Sequence, residues 1–184
     1  LILSPMDGFS DLPFRSLCRE LGSAISYTEF INAIDVLGMI NHVEEKLVFL
    51  PSERPVAFQL FDNQPERLLE AALRVQEYAP DFIDINLGCS DKSVSGRGAG
   101  AGLLRTPHLI AEIFQKLSAA LEVPVTGKMR LGWDEDSRNY LEVAKIIEDN
   151  GGALIAVHGR TKQQGYGGEA DWEAIAEVCR AVKV

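Results

Sequence analysis

The chain has 184 residues, 46% hydrophobic and 24% charged, which is enough for a real hydrophobic core. No apolar run reaches the ~18 residues of a membrane span, and no basic segment precedes an apolar one at the N-terminus, so neither a span nor a signal peptide is expected. A formal net charge of -9 excludes a surface coated with positive charge for nucleic acid; a net charge is a sum, however, and a site is local.

Strand and helix signals alternate along the chain. Leu1 to Ser4 reads as a strand, and Leu12 to Leu21 as a helix stopped by Gly22. Ala24 to Thr28 is a second strand, followed by a helix near Ala33 to Met39. Val56 to Leu60 is a third strand. Asn63 as cap, Pro65 in the first turn and Glu66 then open a helix that runs to about Tyr78. Phe82 to Ile85 is the fourth strand, and Thr106-Pro107 opens a capped helix with Ile110, Ile113, Phe114 and Leu117 inward. Val123 to Lys128 is the fifth strand, Ser137 to Glu148 a helix ended by Asn150-Gly151, and Ala153 to Val157 the sixth strand. Asp171 caps a last helix that reaches the C-terminus.

This is an α/β chain of six βα units in one domain over 1–184. The strands are nearly all apolar, as expected for parallel strands buried on both faces. A doubly wound open sheet would carry a glycine-rich turn after its first strand, but Pro5-Met6-Asp7-Gly8 stands there. A TIM (β/α)8 barrel has eight units and about 250 residues. The expectation is therefore six-eighths of such a barrel, its C-terminal part absent, because six free units would leave two strand edges unpaired. Cys18, Cys89 and Cys179 lie far apart without metal spacing, so no metal site is expected and the sparse cysteines suit the cytoplasm.

In a TIM barrel the chemistry sits at the C-terminal strand ends. There the chain places Pro5, Met6 and Asp7; Glu29; Gln59; Asn86 and Cys89; Lys128 and Arg130; and His158, Arg160 and Thr161. Each has a plain alternative: Met6 packs, Glu29 pairs as scaffold, Gln59 caps, Lys128 is a surface lysine and His158 a satisfied core histidine. Taken together they point to a site, since burying so many unpaired polar groups is costly. Cys89 is the most informative. It follows Ile83-Asp84-Ile85-Asn86-Leu87-Gly88 and precedes the glycine-rich run from Gly96 to Gly102. A thiol presented where a strand stops is placed to exchange a proton; a buried structural cysteine is the competing reading.

The ordered set Ser4-Pro5-Met6-Asp7-Gly8, Tyr27-Thr28-Glu29, Gln59-Leu60, Asp84-Ile85-Asn86-Leu87-Gly88-Cys89, Gly98-Ala99-Gly100-Ala101, Lys128-Met129-Arg130-Leu131-Gly132 and His158-Gly159-Arg160-Thr161 resembles the tRNA-dihydrouridine synthases. So does the stretch from Gln164 to Trp172, and the resemblance covers essentially the whole chain. It implies an FMN-binding TIM barrel followed by a small helical RNA-binding domain, with NADPH as reductant and tRNA as substrate. Pro5, Met6, Asp7, Gln59, Lys128 and His158 would contact the flavin, Cys89 would be the catalytic acid, and Asn86 would position the uracil. Lys92, Arg97, Arg130, Arg160 and Lys162 would serve the RNA, and a monomer is expected. Two departures stand out. Ser90 replaces the proline usual after the catalytic cysteine, which removes a backbone restraint. Ser4 replaces an alanine. The FMN phosphate in such barrels is gripped after strands 7 and 8, so weak FMN binding by this chain is expected. Two other readings stay open: an FMN barrel acting on a small pyrimidine, and an RNA-binding chain without catalysis.

Overall fold

The computed structural model describes residues 1–39 and 41–184. Helix α1 (Leu12–Glu20) precedes two short strands, β1 (Ser26–Tyr27) and β2 (Ile31–Asn32). Helices α2 (Ala33–Leu37) and α3 (Asn41–Leu47) lead to β3 (Val56–Phe61), α4 (Pro65–Gln76) and β4 (Phe82–Leu87). The rest is α5 (Lys92–Ser95), α6 (Pro107–Ala120), β5 (Val125–Arg130), α7 (Tyr140–Asp149), β6 (Leu154–His158) and α8 (Trp172–Ala181). All strand pairs are parallel, in the order β1-β3-β4-β5-β6, with β2 also on β3.

Both β1 and β2 pair with β3, Ser26 opposite Val56 and then Ile31 opposite Leu60. Between them the Thr28 hydroxyl accepts the Gln59 backbone N–H at 3.3 Å, replacing a ladder bond. They occupy one position of the sheet, interrupted in the middle. The sheet is thus an arc of a TIM-type barrel with five strand positions.

The expected strand at Leu1 to Ser4 does not form. Its one backbone bond to the neighbouring segment runs from Ala24 N–H to Leu1 O at 2.7 Å. The Ser23 hydroxyl, rather than a backbone carbonyl, accepts the Leu3 N–H at 3.1 Å. Leu1 and Ile2 stay exposed, so no burial drives a ladder there. The expected Asn63 cap is also replaced. Gln64 precedes α4 without a side-chain cap bond, and Asp62 accepts the backbone N–H groups of Asn63 and Gln64 at 2.6 and 3.0 Å. Helix α7 starts at Tyr140 because Ser137 closes its own turn on Asp134. Asp171 does cap α8, accepting the Ala174 N–H at 2.9 Å.

The strands are not apolar on both faces. Phe58, Leu60, Ile83, Ile85, Leu87 and Met129 join Leu68, Val75, Phe114, Leu117, Val143 and Ile147 of the helices in one core. The alternate positions, Gln59, Asp84, Asn86, Thr126, Lys128, Arg130 and His158, turn to the other face, as the two-residue strand period requires. Helix α4 packs on α2 and α6, α6 on α7, and α7 on α8, so one helix layer follows the strand order.

Gly127 sits where α6 presses on β5. A Cβ there would lie 2.9 Å from the Phe114 ring and 3.5 Å from Ile147. Gly127→Ala should overpack the α6–β5 contact and lower stability by about 1–3 kcal/mol, read as a reduced urea midpoint at unchanged slope.

Candidate active site

A cleft of about 750 Å³ opens at the C-terminal strand ends. Its walls bring together Pro5, Met6, Asp7, Gln59, Asn86, Cys89, Lys128, Arg130 and His158. The segment bearing Pro5 to Asp7 is not a strand, so its position comes from side chains. Arg15, fully buried, donates to Ser10 O at 2.9 Å and to the Glu53 carboxylate at 2.9 Å. Lys46 bridges Asp7 at 2.7 Å and Glu29 at 3.4 Å, which gives Glu29 the scaffold role.

The strand ends form a connected polar chain. Asp84, wholly buried, accepts from Gln59 Nε2 at 2.6 Å and from the Thr126 hydroxyl at 2.5 Å. Asn86 Nδ2 donates to Gln59 Oε1 at 2.9 Å. Asn86 Oδ1 accepts the backbone N–H groups of Gly88 and Cys89 at 3.0 and 2.8 Å. The turn carrying the thiol therefore hangs from an interior amide.

Arg130 is buried and committed to backbone. It donates to Gly88 O at 2.8 Å, Thr161 O at 3.0 Å and Gly165 O at 2.8 Å, so it ties the Cys89 turn to the loop after β6. Arg160 lies beside the cleft, donating to Gly167 O and Gly168 O and standing 3.2 Å from His158 Nε2. Lys92 and Arg97 are exposed and do not line the cleft; Arg97 borders a smaller neighbouring one of about 280 Å³ with Asp7 and Lys46. Lys162 is spent on the Trp133 ring, 4.3 Å from its centre. Lys128 makes no hydrogen bond or ion pair among the described residues, although it is mostly buried.

Burial shapes the protonation states. It pushes the Cys89 thiol up, so the thiol keeps its proton at neutral pH. It pulls Lys128 down, opposed by the Asp84 carboxylate. It raises Asp84 to about 6 against the hydrogen bonds from Gln59 and Thr126. His158 falls to about 4 through burial and the charges of Arg130, Lys128 and Arg160.

Sequence reasoning passed over Asp84, Phe9, Phe30 and Tyr166. Asp84 carried a signal, since it stands two residues before Asn86 and so shares its face. Phe9, Phe30 and Tyr166 carried none, because they reach the cleft from loops.

The dihydrouridine synthase (Dus) family model matches residues 2–184. The chain belongs to the dihydrouridine synthase family. It is 42% identical to tRNA-dihydrouridine synthase B of Pseudomonas aeruginosa, over all of this chain and 55% of that protein. It is 39% identical to the synthase B of Pseudomonas syringae pv. tomato, again over all of this chain and 55% of the relative. It is 37% identical to a probable tRNA-dihydrouridine synthase 1 of Synechocystis, over all of this chain and 52% of the relative. The chain thus spans about half the length of the curated relatives it matches. No helix among the described residues is long and apolar enough to cross a membrane, and the described residues hold no cluster of metal-ligating groups.

In this chain the ring of His158 should stay neutral through pH 5, with a midpoint of about 4 by NMR titration, below the ordinary 6.5. The sign follows from linkage: the unfolded chain takes up this proton first, so the contribution of His158 to stability is lost as pH falls from about 6.5 through 4. Alkylation of Cys89, followed by peptide mass spectrometry, should rise with a midpoint above the usual thiol range.

Proposed function

We propose that this chain is the flavin-binding, uridine-reducing part of a tRNA-dihydrouridine synthase. The observation that carries the reading is the half-buried thiol of Cys89 in one cleft with the unpartnered Lys128 head group and the interior amide of Asn86. The residues fit FMN. A cleft of about 750 Å³ suits a cofactor ring, and a mostly buried ammonium without a hydrogen-bond acceptor among the described residues calls for an electron-rich partner. Pro5, Met6, Asp7, Gln59, Lys128 and His158 would hold the flavin. The chemistry such a flavin would supply, with NADPH as the electron source, is hydride donation, and carbon 6 of a uracil ring would be the acceptor.

The chain's own residues do the rest. Cys89 gives its proton to carbon 5 and recovers one from solvent. Its raised pKa keeps the proton available at neutral pH. Asn86, with Oδ1 on the Gly88 and Cys89 N–H groups and one Nδ2 hydrogen on Gln59, has its second Nδ2–H left to donate to the base, and Lys128 would place positive charge beside the flavin. The base must leave its stack to reach this cleft. Exposed Lys92, on the Cys89 side, is free to meet tRNA phosphates, and exposed Arg97, whose Nε donates to Ser93 O at 2.8 Å, keeps its two terminal nitrogens for them. Arg130 and Arg160, with their guanidinium groups on loop carbonyls, act instead by holding the rim.

The test is anaerobic reduction of the FMN-loaded protein, addition of unmodified tRNA and mass spectrometry for uridines that gain two hydrogens. Cys89→Ala should lower the rate by ~10²–10⁴-fold with tRNA affinity kept. Reduction of free uracil at a rate matching or exceeding that of tRNA would replace this reading with a small-pyrimidine reductase.

A further inference from the structure

We propose that Asp84 is a positioning residue, the fixed end of a hydrogen-bond relay through Gln59 and Asn86 that sets the Cys89 turn. The inference rests on the reading of Cys89 as the acid, but its geometry is independent of that reading. Asp84 touches neither the thiol nor the cleft; it acts two side chains away.

The relay has one allowed direction. An ionised carboxylate only accepts, so Gln59 must turn Nε2 toward Asp84, at 2.6 Å. Gln59 Oε1 is then left facing Asn86 and takes its Nδ2–H at 2.9 Å. Asn86 must therefore offer Oδ1 to the turn, where the N–H groups of Gly88 and Cys89 can only donate, at 3.0 and 2.8 Å. Acceptors at one end and donors at the other leave neither amide free to flip without an unpaired buried group. The Thr126 hydroxyl, donating to the second carboxylate oxygen at 2.5 Å, keeps Asp84 itself from turning. The strands supply the spacing: Gln59 stands opposite Asp84 and Asp84 opposite Thr126 in the ladder. Burial and the Asp91 backbone dominate the environment of the Cys89 thiol, with the charges of Asp91, Arg130 and Asp7 beside them, and Asp84 is joined to it through the hydrogen-bonded amides.

The experiment measures Cys89 alkylation at one fixed pH by peptide mass spectrometry, alongside dihydrouridine formation in the FMN-loaded protein. Asp84→Ala and Gln59→Met each break the relay and should speed Cys89 alkylation about tenfold, the shift expected from losing one buried hydrogen bond. Asp84→Asn removes the charge but can still accept from Gln59 while donating to Thr126, so it should stay within about twofold of the parent. Ile85→Val loosens the opposite, apolar face of the same strand and should leave alkylation unchanged. In the relay-broken variants kcat should fall with the KM for tRNA held. Unchanged alkylation in Gln59→Met, an Asp84→Asn rate as high as that of Asp84→Ala, or an Ile85→Val rate matching either would overturn the proposal. If Asp84→Ala does not fold, Gln59→Met and Asp84→Asn decide. A relay confirmed by labelling in a protein that reduces no tRNA would keep the positioning role and remove the proposed activity.

Discussion

The two-residue repeat of the parallel strands is the constraint on which the site depends. Each strand gives one set of side chains to the helix layer and the other to the barrel interior. In β3, β4 and β5 the first set is apolar, and the second includes Gln59, Asp84, Asn86, Thr126, Lys128 and Arg130. Burying that second set without partners would be costly. The ladder meets the cost by placing Gln59 opposite Asp84, Asp84 opposite Thr126, and Asn86 opposite Lys128. A one-residue slip of β4 would turn Asp84 and Asn86 into the apolar core.

The interior is balanced unevenly, and the imbalance defines the cleft. Asp84 is the buried carboxylate; Lys128, Arg130 and Arg160 bring positive charge toward the rim. In a chain of net charge -9, cations thus gather on the His158 side of the cleft, while Asp7 and Asp91 line its other walls. Their effect is read at His158, which burial and three cations hold neutral. Of these three cations, Lys128 is the one whose head group has no hydrogen-bonding partner among the described residues, so it is the one left open to the cleft. Arg130 is different in kind: three carbonyls from two loops surround its fork, so its charge is spent on shape.

The N-terminal segment shows how a site wall can be held without a ladder. Pro5, Met6 and Asp7 line the cleft although Leu1 to Ser4 pairs with no strand. Arg15 and Glu53 pin the following turn from beneath, and Lys46 draws Asp7 and Glu29 together. Breaking the buried Arg15–Glu53 pair would leave one charge unpaired in the interior, a strongly unfavourable state. The wall's position is therefore coupled to folding of the segment around Glu53.

Much of this was legible in the chain alone. Apolar periodicity and turn residues located the long helices and the strands β1, β3, β4, β5 and β6, because those signals are local. The ordered motifs placed Cys89, Lys128 and His158 at strand ends and pointed to the family. Partners decided the remainder. Leu1 to Ser4 has a strand's composition, but its N–H groups found a serine hydroxyl rather than a ladder. Asn63 looked like a cap, but the helix starts one residue later, after Gln64, and the side chain that turns the chain there is Asp62, which accepts the Asn63 and Gln64 amides. Arg130 and Arg160 read as free basic residues until the fold surrounded them with carbonyls. Asp84 read as part of a motif, and only its two hydrogen bonds show what it holds. The sequence by itself determined the alternation of elements and which chemical groups stand at the strand ends. The tertiary structure alone decided which of those groups are spent on the protein and which remain for a ligand, since hydrogen-bond partners come from segments distant in the chain.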